Sequence, residues 1–228
     1  MAYTLITANR NYSSWSLRPW LLMRALGIPF ADRVEPFARA RNWEEFRAFS
    51  PTGQVPVLID GDVTIWDSLG ITLYLADRHP GVWPDDPAAR AFAQCAVAEM
   101  HGGFSALRGD CTMNVGVRVR PRPMSAALRS DVARVREIFE QGLARFGGPW
   151  LAGDGFGAID AFFAPVAFRV RTYGLDVGGG QKWVDRVIDH PAMRQWEAEA
   201  LAEVWREASH EGELAAAGEI IADYRACG

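Results

Sequence analysis

Three segments of this sequence put anion-handling groups where helices begin or break. The first is Asn11-Tyr12-Ser13-Ser14-Trp15-Ser16-Leu17-Arg18-Pro19. A helix N-terminus carries unsatisfied N–H groups and about half a positive charge. A Ser hydroxyl beside it can donate one more hydrogen bond to an anion. Alone, the segment reads first as an ordinary Ser-rich helix cap. The second is Asp67-Ser68, which opens another helical pattern. Its hydroxyl and local N–H groups can bind a carboxylate, and a simple cap is again the alternative. The third is Met100-His101-Gly102-Gly103-Phe104, with two glycines inside a helical stretch. Each costs roughly 1 kcal/mol relative to Ala. That cost points to close approach of backbone or ligand and makes Met100, Phe104, Arg108 and Met113 candidate pocket walls. Core packing is the other reading.

Other chemistries find no support. The three cysteines, Cys95, Cys111 and Cys227, are far apart and odd in number, with no C-x-x-C pair. A disulfide framework, a zinc site and a dithiol centre are therefore not expected. The four histidines lack ligand spacing, so no metal is expected. A net charge of -4 argues against nucleic acid as the main partner. No apolar stretch approaches the ~20 residues of a membrane span. Met1-Ala2-Tyr3-Thr4-Leu5-Ile6 shows no secretory signal, so a cytoplasmic protein is expected. Arg118-Val119-Arg120-Pro121-Arg122 reads as a solvated loop rather than an anion site.

The elements that must hold these groups fall into two halves. Residues 3–8 predict a strand. Leu17, Trp20, Leu21, Arg24 and Ala25 then follow helical spacing, with Pro19 fitting the first turn and Gly27 the stop. Residues 28–36 predict a second strand and 42–49 a short helix. Two apolar runs around Asp60-Gly61-Asp62 predict a hairpin. A helix from Asp67-Ser68 ends near His79-Pro80. The Pro- and Gly-rich residues 81–87 read as a linker. It separates residues 1–80, an α/β unit of order βαβ, α, ββα, from residues 88–228. There only helices are predicted, over 88–108, 128–146, 158–173, 191–206 and 212–225. Gly178-Gly179-Gly180 reads as a loop, not a phosphate cradle.

Four features together resemble the glutathione transferase family. They are the Ser-rich loop already quoted, Ser50-Pro51-Thr52-Gly53-Gln54-Val55-Pro56-Val57-Leu58, Asp67-Ser68-Leu69-Gly70-Ile71-Thr72-Leu73-Tyr74-Leu75, and Gly157-Ala158-Ile159-Asp160-Ala161. They look like the family's catalytic loop, its N-P-x-x-x-V-P-x-L segment, its E/Q-S-x-A-I-x-x-Y-L helix and its S/T-x-x-D capping box. Their order agrees across about 200 residues. The implied fold is a thioredoxin-like α/β N-terminal domain followed by an all-helical C-terminal domain.

The resemblance implies glutathione as co-substrate and a small hydrophobic electrophile as its partner. Only a thiolate is a good sulfur nucleophile, and a free thiol has a pKa near 8.5. By register against serine-type members such as the zeta class, Ser13 is the expected thiolate donor, with Ser14 and Tyr12 as competitors. A cis bond before Pro56 is implied, turning the Val55 backbone toward glutathione, with Gln54 beside it. Ser68 is implied to hold the γ-glutamyl carboxylate and Asp67 its ammonium. Asp67 replaces the family's longer Glu or Gln. Asp160 is expected to be structural. The activity implied is conjugation. The alternatives are cis–trans isomerisation of the maleylacetoacetate isomerase type, weakened by Trp15 where zeta members carry Cys, and a non-catalytic binding protein. A homodimer is also implied.

Overall fold

The computed structural model describes residues 3–37 and 42–226; Cys227 lies outside them. The β-formers of Tyr3-Thr4-Leu5-Ile6-Thr7 give a first strand, β1 (Tyr3–Thr7), at the interior of a four-stranded sheet. The helix α1 (Ser14–Ala25) carries the chain over to β2 (Phe30–Val34), which runs parallel to β1. After the short α2 (Asn42–Phe46), β3 (Val57–Asp60) and β4 (Val63–Ile65) form the expected hairpin. Gly61, at φ 58, supplies the left-handed turn between Asp60 and Val63. The strand order is β2-β1-β3-β4, with β3 antiparallel to β1 through Leu5 opposite Leu58. The helix α3 (Ser68–Ala76) closes this thioredoxin-like half.

Pro19 is not in the first turn of its helix. α1 begins at Ser14, so Pro19 is its sixth residue. The chain turns early because the Ser13 N–H donates to the Asn9 carbonyl and the Ser14 N–H to the Tyr12 carbonyl. A proline there leaves the Trp15 carbonyl without its N–H partner one turn on.

The second half is built on helices: α4 (Pro87–Gly102), α5 (Ser105–Asp110), α6 (Ala126–Phe146), α7 (Ala158–Tyr173), α8 (Gln181–Asp189), α9 (Pro191–Ala202) and α10 (Ala208–Ala217). α7, buried along nearly its whole length, packs on α1 and joins the two halves. Asp160 is fully buried near its start. Its carboxylate accepts the Gly157 N–H at 3.1 Å, as a capping residue should, and also the Leu151 N–H and the Trp183 indole N–H.

Four expectations change. The predicted helix over 88–108 is two helices, because Gly103 leaves α4 in extended geometry and Phe104 adopts the left-handed region at φ 56. A Cβ at Gly103 would sit 2.8 Å from the Glu99 carbonyl oxygen. Arg118 to Pro121 is not a loop but part of β5 (Val117–Pro121). The last predicted helix ends at Ala217 and gives way to β6 (Gly218–Asp223), which pairs antiparallel with β5. Gly178–Gly180 is a 3-10 turn leading into α8, an element the periodicity reading passed over. Among the described residues no helix is long and apolar enough to cross a membrane.

Candidate functional site

Where the first half meets the helices there is a cleft of about 670 Å³. Tyr12 to Trp15, Gln54 to Pro56 and Trp66 to Ser68 form one side of it. His101, Arg108, Thr112, Met113 and Arg169 form the other. Three segments far apart in sequence thus converge through the sheet, since the first loop follows β1, Gln54 to Pro56 precede β3, and Trp66 to Ser68 follow β4.

Ser13 caps α1 and lies against the cleft, nearly buried. Its hydroxyl donates to Ser16 Oγ at 2.7 Å, and Ser16 Oγ also accepts the Ala8 N–H. Unlike Tyr12, which is held by a carboxylate, the Ser13 hydroxyl can rotate to a ligand sulfur while Ser16 turns its own O–H toward Ser13. Ser14, the first helical residue, also faces the cleft. Its hydroxyl makes no hydrogen bond within the described residues. Tyr12 lines the cleft with its ring, but its hydroxyl donates to Glu211 Oε1 at 2.6 Å. Burial and that carboxylate push its pKa far above the ordinary phenol value. Tyr12 therefore keeps its proton and directs it away from any ligand sulfur.

The Val55–Pro56 peptide is cis. The Val55 N–H and C=O make no hydrogen bond within the described residues, leaving both for an extended ligand. Gln54 beside them is anchored through its backbone to Ser50, whose Oγ bonds both its N–H and its C=O. Ser68 is fully buried, lines the cleft, and its Oγ has no partner among the described residues. A buried hydroxyl without a partner costs of order 1–3 kcal/mol, which a ligand oxygen would offset.

Asp67 does double duty. Its Oδ1 caps α3 by accepting the Leu69 and Gly70 N–H groups, at 2.8 and 3.2 Å. Its Oδ2 lies 3.2 Å from His101 Nε2 across the cleft. Burial lowers the His101 pKa from 6.5, so the imidazole is neutral at pH 7 and donates to Asp67.

Of the four helical wall candidates, Arg108 and Met113 line the cleft. Met100 and Phe104 do not: both are core residues, Phe104 packing edge-on to Phe163. The two glycines that drew attention to them serve the break between α4 and α5. Sequence reasoning missed Arg169, which sits on α7 with 5% exposure. It also missed a roof made by α10. His210 stacks on Tyr12 at 4.9 Å and on Phe37 at 5.4 Å, and Glu213 lies at the rim. An arginine inside the apolar run of residues 158–173 was the available signal for Arg169. Nothing in the residues 208–217 foretold where α10 would lie.

Two family models match this chain in order. The glutathione S-transferase N-terminal domain matches residues 12–78, and the glutathione S-transferase C-terminal domain matches residues 124–199, together well over half the chain. The chain belongs to the glutathione S-transferase family. Among curated relatives, glutathione S-transferase 1 of Dianthus caryophyllus is 26% identical over 168 residues, covering 72% of this chain and 76% of that one. A stringent starvation protein A homologue of Pasteurella multocida is 24% identical, covering 67% and 71%. A glutathione transferase homologue from Burkholderia, solved with bound glutathione, shares the fold at a TM-score of 0.66 and 20% identity, covering 88% of this chain and 98% of that one. This transferase-family fold thus recurs under names that describe different roles.

Proposed function

We propose that the chain is a glutathione transferase that holds glutathione as a thiolate beside Ser13 or Ser14 for attack on a small electrophile. The observation that carries this reading is convergence. The serine loop, the open Val55 backbone and the unpartnered Ser68 hydroxyl line one cleft. A γ-glutamyl carboxylate at Ser68 would gain the N-terminal field of α3, and Asp67 Oδ2 is the one carboxylate oxygen there not capping the helix. The backbone at Val55 would pair with the middle of the peptide. The cysteinyl sulfur then falls toward the α1 N-terminus. There a Ser hydroxyl and the helix field lower the free energy of the thiolate. The electrophile enters from the side of Arg108, Thr112 and Met113.

The reaction needs no metal. The thiol proton leaves to solvent, the sulfur attacks carbon, and a leaving group departs with the bonding pair. Conjugation and thiol-dependent isomerisation share only the attack of sulfur on carbon, the sulfur itself leaving again in isomerisation; the absence of Cys after the serine pair, where Trp15 stands, favours conjugation. We further propose a cytoplasmic homodimer with a domain boundary at residues 81–87. Calorimetry with glutathione, followed by turnover of a panel of aryl and alkyl halides, tests the reading. Failure to bind glutathione would reject it.

A further inference from the structure

The electrophile side of the cleft is cationic, which an apolar substrate alone does not require. Arg169 lines the cleft and is buried. Its Nε donates to the Cys111 carbonyl at 2.7 Å and its Nη1 to the Pro165 carbonyl at 3.2 Å. These neutral acceptors fix the guanidinium and leave Nη2 without a hydrogen-bond partner among the described residues. Arg108, half-buried on α5, also lines the cleft and lies 5.3 Å from the centre of the Trp15 ring. Arg18, only 1% exposed, lies 4.1 Å from the centre of the same ring. Its Nε and Nη1 have no hydrogen-bond partner among the described residues. Among the described residues none of these three arginines forms an ion pair. The carboxylates at hand are otherwise placed: Asp67 caps α3 and meets His101, and Glu213 stands exposed at the rim.

Burying a cation without a counter-charge is expensive. The strain shows in Arg18, whose guanidinium is pushed down to about 9 by burial and by Arg169 and Arg108. It remains charged at neutral pH. An arginine held by backbone carbonyls with one edge open is a preorganised fork for a planar anion.

We propose that the electrophilic substrate carries a carboxylate, which Arg169 and Arg108 hold while an apolar body lies between Trp15 and Met113. The inference extends the transferase reading given above. For an aryl chloride the step balances simply. The glutathione sulfur bonds to the ring carbon, the C–Cl bond breaks, and chloride leaves with the bonding pair.

The test compares 4-chloro-3-nitrobenzoate with 4-chloro-3-nitrobenzamide, which share a leaving group and differ in charge. After correction for the uncatalysed rates, kcat/KM should favour the acid by about tenfold or more. In Arg108→Gln that preference should fall by about tenfold, with glutathione affinity within about twofold of the parent. Calorimetry with unreactive 3-nitrobenzoate and 3-nitrobenzamide reads the same preference without turnover. Equal affinity for the two would overturn the proposal. So would an acid preference untouched by both Arg108→Gln and Arg169→Lys. Lost glutathione binding in Arg108→Gln with the acid preference intact would also overturn it, since the arginines would then serve a glutathione carboxylate. If the parent protein shows the acid preference in binding but does not bind glutathione, the anion site stands and the transferase reading fails.

Discussion

Ser13 Oγ lies 2.7 Å from Ser16 Oγ, almost one turn further into α1. Ser16 is itself fixed by the Ala8 N–H at the end of β1, so the sheet positions the Ser13 side chain through one intermediary. Ser14 has no such tether. We therefore expect Ser13→Ala to lower kcat/KM for any accepted electrophile by on the order of 10², the scale of a lost oxyanion donor. Glutathione affinity should change far less. Ser14→Ala should cost under about tenfold. Steady-state kinetics on both variants checks this, and the opposite ordering would move the role to Ser14.

Removing the Ser68 hydroxyl should separate binding from stability. The group is buried and unpartnered in the free protein, so Ser68→Ala deletes a desolvated polar atom without breaking a bond. Thermal stability is expected to hold or rise slightly. Glutathione affinity is expected to fall by about tenfold, the worth of a hydrogen bond to a charged group. Unchanged affinity would mean that the γ-glutamyl end binds elsewhere.

Cysteine chemistry should play no part. Burial pushes the Cys111 thiol up to about 11, so it is protonated and unreactive at pH 7. Cys95 is exposed, on α4, and not in the cleft lining. The variant combining Cys95→Ala, Cys111→Ala and Cys227→Ala should keep its transferase turnover nearly intact. Collapse of turnover with fold and glutathione binding preserved would transfer the chemistry from serine to cysteine.

Much of the site was legible because it depends on local chemistry. The Asp-Gly turn, the Val-Pro pair and the Asp-Ser cap each specify backbone geometry within a few residues, and the structure brings the last two to one cleft. Arg169 was not legible, because its role comes from which wall of α7 meets α5 and the first loop. The β5–β6 ribbon was missed although Val117-Arg118-Val119-Arg120 alternates with period two. Its partner strand lies about a hundred residues away, and an isolated short alternation far from a turn signal looks like loop. α10 roofs the cleft through aromatic stacking on Tyr12 and Phe37 and the Tyr12–Glu211 bond, long-range contacts that helical periodicity does not encode.

Asp160 gives a pH signature of the fold. Burial raises its pKa from 3.8 to about 6, outweighing the three N–H groups that favour the carboxylate. The folded protein thus holds this proton more tightly than the unfolded chain. Its contribution to stability is full below about pH 4 and declines as pH rises through about 6. The difference in melting temperature between the parent and Asp160→Asn should therefore move against the parent between about pH 4 and 6.5 and then level off. A difference moving in the parent's favour over that window would show that the three hydrogen bonds outweigh burial.

Light scattering should report about twice the 25.2 kDa chain mass if the protein pairs as its family resemblance implies. A monomer mass at micromolar concentration would remove the dimer from the account.

The central claim is that this cleft stabilises a thiolate, and the ionisation of bound glutathione reads it directly. Ultraviolet difference absorbance of the saturated complex, followed against pH, gives the pKa of the bound thiol. The account predicts a value clearly below the ordinary ~8.5 of a free thiol in the parent protein, returning toward it in Ser13→Ala. A bound thiol that titrates like free glutathione in the parent protein would contradict it.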